Sequence, residues 1–115
     1  MSTSALIPIK KIQDARLALK DISLKTPLEK NKNLSKKYGA NIMFKREDLQ
    51  VVRSFKIRGA YYRMCQLSAT ERERGIICAS AGNHAQGVAL ACATLGIKGT
   101  IYMPCLLYTS DAADE

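Results

Sequence analysis

Lys56 lies in the run VVRSFKIRGAYY, residues 51–62, between an aromatic and an apolar residue and close to Arg53 and Arg58. If Ser54 caps a helix here, Lys56 falls in the first turn, where the helix N-terminus and both arginines disfavour an ammonium. The neutral amine is the form that attacks a carbonyl carbon, so the setting suits Schiff-base chemistry. Gly59, one turn along, adds no side chain and leaves room for a flat ring, with Phe55 placed to pack beside it. The plainer alternative is a solvated lysine in a basic loop, and spacing alone leaves both readings open.

A second cluster, SAGNHAQG at residues 80–87, falls between a predicted strand and a predicted helix. In an open α/β sheet, ligands bind beyond the carboxyl ends of strands, and a helix N-terminus offers free N–H groups to an anion. Gly82 lets the backbone approach closely, while Ser80 and Asn83 bring a hydroxyl and an amide to the same end. A carboxylate or phosphate would suit these groups; an ordinary N-cap made by Ser or Asn is the simpler account. The dinucleotide spacing G-x-G-x-x-G is absent. His84 is the sole histidine and has no second ligand at helical spacing, so no metal is expected and its default role is structural or orienting.

The elements that must carry these groups follow from periodicity and punctuation. Ile12, Ala15, Leu19 and Ile22 recur at helical spacing, and Pro8 suits a first helical position, so residues 8–22 predict an amphipathic helix. Pro27 biases Thr26 toward an extended conformation and a short strand. NKNLSKKYGA predicts a polar helix closed by Gly39, and NIMFKRED a strand feeding a loop over residues 49–53. Ile57, Ala60, Tyr61, Met64 and Cys65 then make one broad helical stripe. SATERERG predicts a helix capped by Ser68 or Thr70 and stopped by Gly75, and IICAS a buried strand. In the helix that follows, Ala85, Ala89, Ala91, Cys92 and Ala93 permit close approach to a sheet; Gly96 ends it, and KGTIYMP predicts another strand. The alternation points to an α/β architecture with an at least partly parallel sheet.

With 115 residues, 47% hydrophobic and 24% charged, the chain fits one ordinary globular core and not a disordered tail. Its charge of +8 is uneven: nine basic against three acidic residues over 1–40, nine against four over 41–104, and none against three over 105–115, giving +6, +5 and −3. The basic residues form no block and few aromatics interleave them, which argues for a solvated surface over a nucleic-acid site. Cys65, Cys78, Cys92 and Cys105 are spaced by 13, 14 and 13 residues, unlike zinc ligands or a secreted disulfide scaffold. Reduced, mostly buried thiols in a cytoplasmic protein are expected. No stretch approaches the roughly twenty apolar residues of a membrane span.

RSFKIRGAYY followed by ASAGNHAQGVA, with TPLEKNKNLSKKYGANIMFKREDLQ before them and Met103-Pro104 after, resembles the threonine dehydratases, pyridoxal-phosphate enzymes of fold type II. The resemblance implies an incomplete α/β fold of the tryptophan synthase β-like kind, with residues 1–104 an N-terminal segment and part of the smaller domain. It implies that Lys56 bonds the aldehyde of pyridoxal 5'-phosphate and, once released, takes the α-proton of L-threonine. Phe55 would pack near the cofactor ring, Asn83 would hydrogen-bond its phenolic oxygen, and Ser80, Ala81, Gly82 and His84 would receive the substrate carboxylate. Loss of the β-hydroxyl then leads to 2-oxobutanoate and ammonia, a step of isoleucine biosynthesis.

Serine dehydratases and racemases share this fold, and similar racemases carry a second serine where this chain has Ala81, which has no proton to give. One-sided elimination is therefore the expected course. A non-catalytic basic binding module is the alternative from a different class. The family's glycine-rich phosphate loop, and its later Ser or Cys facing the pyridine nitrogen, have no counterpart here, and residues 105–115, CLLYTSDAADE, leave the pattern. The expectation is a fragment with a foreign tail, inactive or nearly so alone. Full length, it would be a homo-oligomer acting on an amino acid, with no nucleic-acid or membrane partner.

Overall fold

Ile57, Ala60 and Met64 recur on one face of a ten-residue helix, and all three are buried. The computed structural model describes residues 6–105. In chain order the elements are α1 Ile9–Ala18, β1 Leu28–Lys30, α2 Lys32–Tyr38, β2 Met43–Lys45, a 3-10 turn Glu47–Leu49, α3 Lys56–Cys65, α4 Ala69–Arg74, β3 Ile76–Ala79, α5 Asn83–Leu95 and β4 Gly99–Tyr102. β3 and β4 pair in parallel, with Ile76 opposite Gly99 and Ala79 opposite Tyr102, so α5 is the crossover of a βαβ unit. β1 and β2 form a separate antiparallel pair, Leu28 opposite Lys45.

The core joins α3 to α5: Val52, Ile57, Ala60, Met64, Val88, Ala91, Cys92 and Ile97 form one buried cluster. Ile57 is 1% exposed, and burial of such a side chain contributes roughly 1.5–3 kcal/mol. The small face of α5 serves this helix pairing as well as the sheet. At Gly87 a Cβ would lie 3.0 Å from the Lys56 carbonyl carbon and 3.1 Å from Ile57 N, so the bare backbone lets α5 press on the start of α3. Ala85, Ala91 and Cys92 are buried on that face, whereas Ala89 and Ala93 are exposed. The expected approach of α5 to a sheet is met at Gly99 of β4, where a Cβ would be 2.6 Å from Cys92 Sγ.

Several terminal signals act as predicted. Gly39 and Gly96 close α2 and α5 in the left-handed conformation, at φ 62° and 65°. Ser68, not Thr70, caps α4, in a capping box with Glu71.

Other expectations change. The helix predicted over 8–22 ends at Ala18, Pro8 is its N-cap, and none of its residues is buried among the described residues. Its stripe has too little beside it to cover it; Ile12 is 57% exposed, and Leu19 is buried only after the helix has ended. β3 is half-buried, with Ile77 73% exposed, because a two-stranded sheet leaves one face open. All four cysteines are free, as expected, but only Cys92 is buried; Cys65 and Cys78 are half-buried and Cys105 exposed. Burial, with a smaller contribution from Cys78, pushes the Cys92 thiol pKa up. The tail reading for 105–115 lies, beyond Cys105, outside the described residues.

Candidate functional site

Lys56 is the first residue of α3, and the N-cap position belongs to Phe55, which makes no side-chain cap. Ser54 is buried and assists instead through Oγ, which accepts from the Lys56 N–H at 3.4 Å. The turn before it is strained: Arg53 sits at φ 55°, a left-handed conformation that non-glycine residues rarely adopt. The Lys56 ammonium lies 5.3 Å from the centroid of the Phe55 ring, which is itself 60% exposed. Gly59 has nothing within 4 Å of where a Cβ would be, but the cavity it lines does not include Lys56.

The loop from Ser80 to Gly82 leaves the carboxyl end of β3 and enters α5. Gly82 is the N-cap at φ −125° and ψ −150°, and no side chain caps the helix. Neither Ser80 nor Asn83 therefore spends its polar group on capping. Ser80 Oγ accepts from the Gly82 N–H at 3.3 Å, and its own N–H is donated to the Tyr102 carbonyl at 3.0 Å. Ser80 and Ala81 line an open cleft of about 440 Å³ with Ala79, Tyr102, Met103 and Pro104, beyond the carboxyl ends of both parallel strands. The N–H groups of Asn83 and His84, at the start of α5, have no hydrogen-bond partner among the described residues.

Gly87 brings the two clusters together. Asn83 is four residues before it, about 6 Å along the axis at roughly 1.5 Å per residue, so the first turn of α5 lies one turn from the Lys56 backbone. His84 takes a different side: it is exposed and lines a separate cavity of about 280 Å³ with Gly59, Arg63, Met64 and Ile76. Among the described residues no group of three His, Cys, Asp or Glu could hold a metal ion.

Sequence reasoning missed the polar lattice beneath this site. Arg58 donates through Nε to Glu47 Oε2 at 2.8 Å and through Nη2 to Glu47 Oε1 at 2.8 Å, and reaches Ser23 Oγ at 3.0 Å. Thr26 Oγ1 donates to Glu47 Oε1 at 2.6 Å. These bonds, Arg58 foremost, pull the Glu47 pKa down to about 2 against the opposing effect of partial burial. Arg46 bridges Glu29 and Asp48 at 2.9 and 2.8 Å on the exposed side. The signal available in the sequence was the density of charge in KRED, residues 45–48, next to a loop that must hold Lys56.

The Lys56 amine at one helix start and the unpartnered N–H groups at a neighbouring helix start are thus linked through the Gly87 contact. Residues 19–107 match the pyridoxal-phosphate dependent enzyme family. The chain belongs to that family. Its fold is the α/β fold of the type II pyridoxal-phosphate enzymes, present in part.

Relatives of this pyridoxal-phosphate family member include the biosynthetic L-threonine dehydratase IlvA of Bacillus subtilis, 56% identical over 104 residues that make up 90% of this chain and 25% of the relative. The protein of the same name from Lactococcus lactis is 54% identical over 99 residues, 86% of this chain and 24% of the relative. The chain thus spans about a quarter of the length of these curated relatives. Among solved structures, the processed form of threonine deaminase isoform 2 from Solanum lycopersicum superposes with a TM-score of 0.76 at 43% identity, over 92% of this chain and 29% of that one. Maize serine racemase superposes at 0.81 with 30% identity, over 92% and 32%.

Proposed function

We propose that this chain supplies the lysine-bearing part of the active site of a pyridoxal-phosphate-dependent L-threonine ammonia-lyase, which forms 2-oxobutanoate and ammonia. The observation that carries the reading is the Gly87 contact with the Lys56 backbone, one helical turn along α5 from Asn83, where the loop from the carboxyl end of β3 ends. The names of the relatives supply the substrate.

The residues present fit the cofactor. Lys56 Nζ would bond it, the Phe55 ring would cover one side and the Asn83 carboxamide would hydrogen-bond the ring oxygen. When bound, pyridoxal phosphate supplies an electron-accepting ring conjugated to the substrate's α-carbon. Released when the substrate's amine takes its place, Lys56 Nζ would take the proton from the substrate Cα as general base. The Ser80 hydroxyl and the unpartnered N–H groups of Asn83 and His84, beside Ala81 and Gly82, would receive the carboxylate, with the α5 terminus favouring its negative charge. This fixes the Cα–H bond relative to the amine, so that the proton moves over a set distance.

Serine racemisation is the second reading, favoured by the superposition on maize serine racemase. Ala81 speaks against it, because its methyl group cannot protonate the opposite face of a carbanion. We assign the full-length protein to the cytoplasm as a homo-oligomer without a nucleic-acid partner. Four free cysteines support a reducing compartment, and no helix of the described residues is long and apolar enough to cross a membrane.

The test uses a full-length protein that carries this segment, obtained by extending its coding sequence or by exchanging residues 1–104 into the Bacillus subtilis relative. With added cofactor it forms 2-oxobutanoate from threonine, and Lys56→Ala abolishes this, whereas residues 1–115 alone are inactive or nearly so. Racemisation of serine without net deamination would overturn the assignment.

A further inference from the structure

Gln50 is 1% exposed, and a carboxamide so buried is tolerated only when its polar atoms are hydrogen-bonded. Its Oε1 accepts from the Leu24 N–H at 2.9 Å, while Nε2 donates to the Leu24 carbonyl at 2.8 Å and to Glu47 Oε2 at 3.3 Å. Arg58 arrives at the same two acceptors from the other side. Its Nη2 donates to the Leu24 carbonyl at 3.1 Å and its Nε to Glu47 Oε2 at 2.8 Å. Both ends of the segment 50–58 are therefore fastened to one carbonyl and one carboxylate, and Lys56 lies between them.

Within that segment the chain is folded tightly. The Arg53 N–H donates to the Gln50 carbonyl at 2.8 Å, Arg53 takes φ 55°, and buried Ser54 accepts from the Lys56 N–H. A strained turn persists only where its surroundings over-determine it. The Glu47–Arg58 pair is open to water on the arginine side, 34% exposed. Gln50 is the fully buried member and the one that ties the turn to Leu24.

We propose that Gln50 is a positioning residue for Lys56, its carboxamide locking the 50–55 turn and so fixing where the amine starts from the head of α3. The inference rests on Lys56 being the cofactor-binding amine. Gln50→Met keeps the side-chain volume and removes every side-chain hydrogen bond, which makes it the test variant.

The measurements, on the full-length protein with pyridoxal phosphate well below its thermal midpoint, are the rate of borohydride-trapped adduct at Lys56 and the visible circular dichroism per bound cofactor. Misplacement of the amine predicts a fall in trapping rate of about tenfold or more and an altered dichroism per adduct. A purely structural glutamine would lower the thermal midpoint yet leave both readouts at parental values, and that result overturns the proposal. The unsubstituted protein decides the matter should the variant not fold. Hydrogen exchange must then protect the Leu24 and Arg53 amides as strongly as that of Lys56, and free exchange at Leu24 overturns it equally. A parent that traps no cofactor at Lys56 overturns the underlying reading; a parent and variant that trap alike overturn this inference alone.

Discussion

The half of the molecule from α3 to β4 and the half from α1 to β2 are held by different physics. In the first, seven apolar side chains, joined by Val52 from the loop before α3, form one buried cluster across α3 and α5. In the second, every residue of β1 and β2 is exposed, and order comes from polar bonds. Asn31 caps α2 by accepting from the Leu34 N–H, Ser35 bonds both backbone groups of Ile42, and the Lys45 ammonium donates to the Thr26 carbonyl. Lys56 stands where the two meet, its helix packed on α5 and its preceding loop clamped by Glu47, Gln50 and Arg58. Apolar packing sets the distance between the two helix starts, and the polar lattice sets the path of the chain into Lys56.

That contrast can be broken from either side, and the apolar side should yield most. Ile57→Ala truncates the largest fully buried side chain and is expected to cost about 2–5 kcal/mol, read as a lower denaturant midpoint of the full-length protein. Arg58→Met leaves the Glu47 carboxylate, 15% exposed, without its charged partner. The expected cost is about 1.5–3 kcal/mol, with a larger loss of Lys56 trapping than Ile57→Ala gives at equal residual stability.

Acid should act most on the polar half, through Glu47, with the Ser68–Glu71 capping box of α4 a lesser site. Glu47 titrates at about 2 in the folded chain against 4.5 when unperturbed. Its contribution is therefore complete above pH 4.5 and is lost as pH falls from there toward about 2. A pH series of unfolding midpoints checks this, and Glu47→Gln should flatten the slope in that window. The smallest effect is expected at Gly87. An alanine there gains about 1 kcal/mol of helix propensity but crowds the Lys56 backbone, at about 1–3 kcal/mol for overpacking. The net loss is about 2 kcal/mol at most, accompanied by weaker cofactor trapping because α3 must shift.

Much of the packed half was legible in the sequence, because its signals are local. The stripe Ile57, Ala60, Met64 and the closing Gly96 declare their helices without reference to the rest of the chain. The polar half was not legible, since Glu47 and Arg58 are eleven residues apart and Gln50 and Leu24 twenty-six, spacings that no periodicity reports. The stripe on α1 misled in the opposite way: Ile12 stands at helical spacing from Ala15 and Leu19 and yet is 57% exposed, because periodicity names a face and not what covers it. At the site, the roles proposed for Lys56 and for Ser80 to Asn83 come from residue type and order. Their juxtaposition could not be read there, because it depends on the missing side chain of Gly87, in a different helix from Lys56.

The most direct measurement is peptide mapping of the full-length protein after borohydride reduction in the presence of pyridoxal phosphate. The account predicts one major cofactor adduct, on the peptide containing Lys56, and its disappearance in Lys56→Ala together with threonine deamination. A major adduct on another lysine, or full deamination by Lys56→Ala, would contradict it.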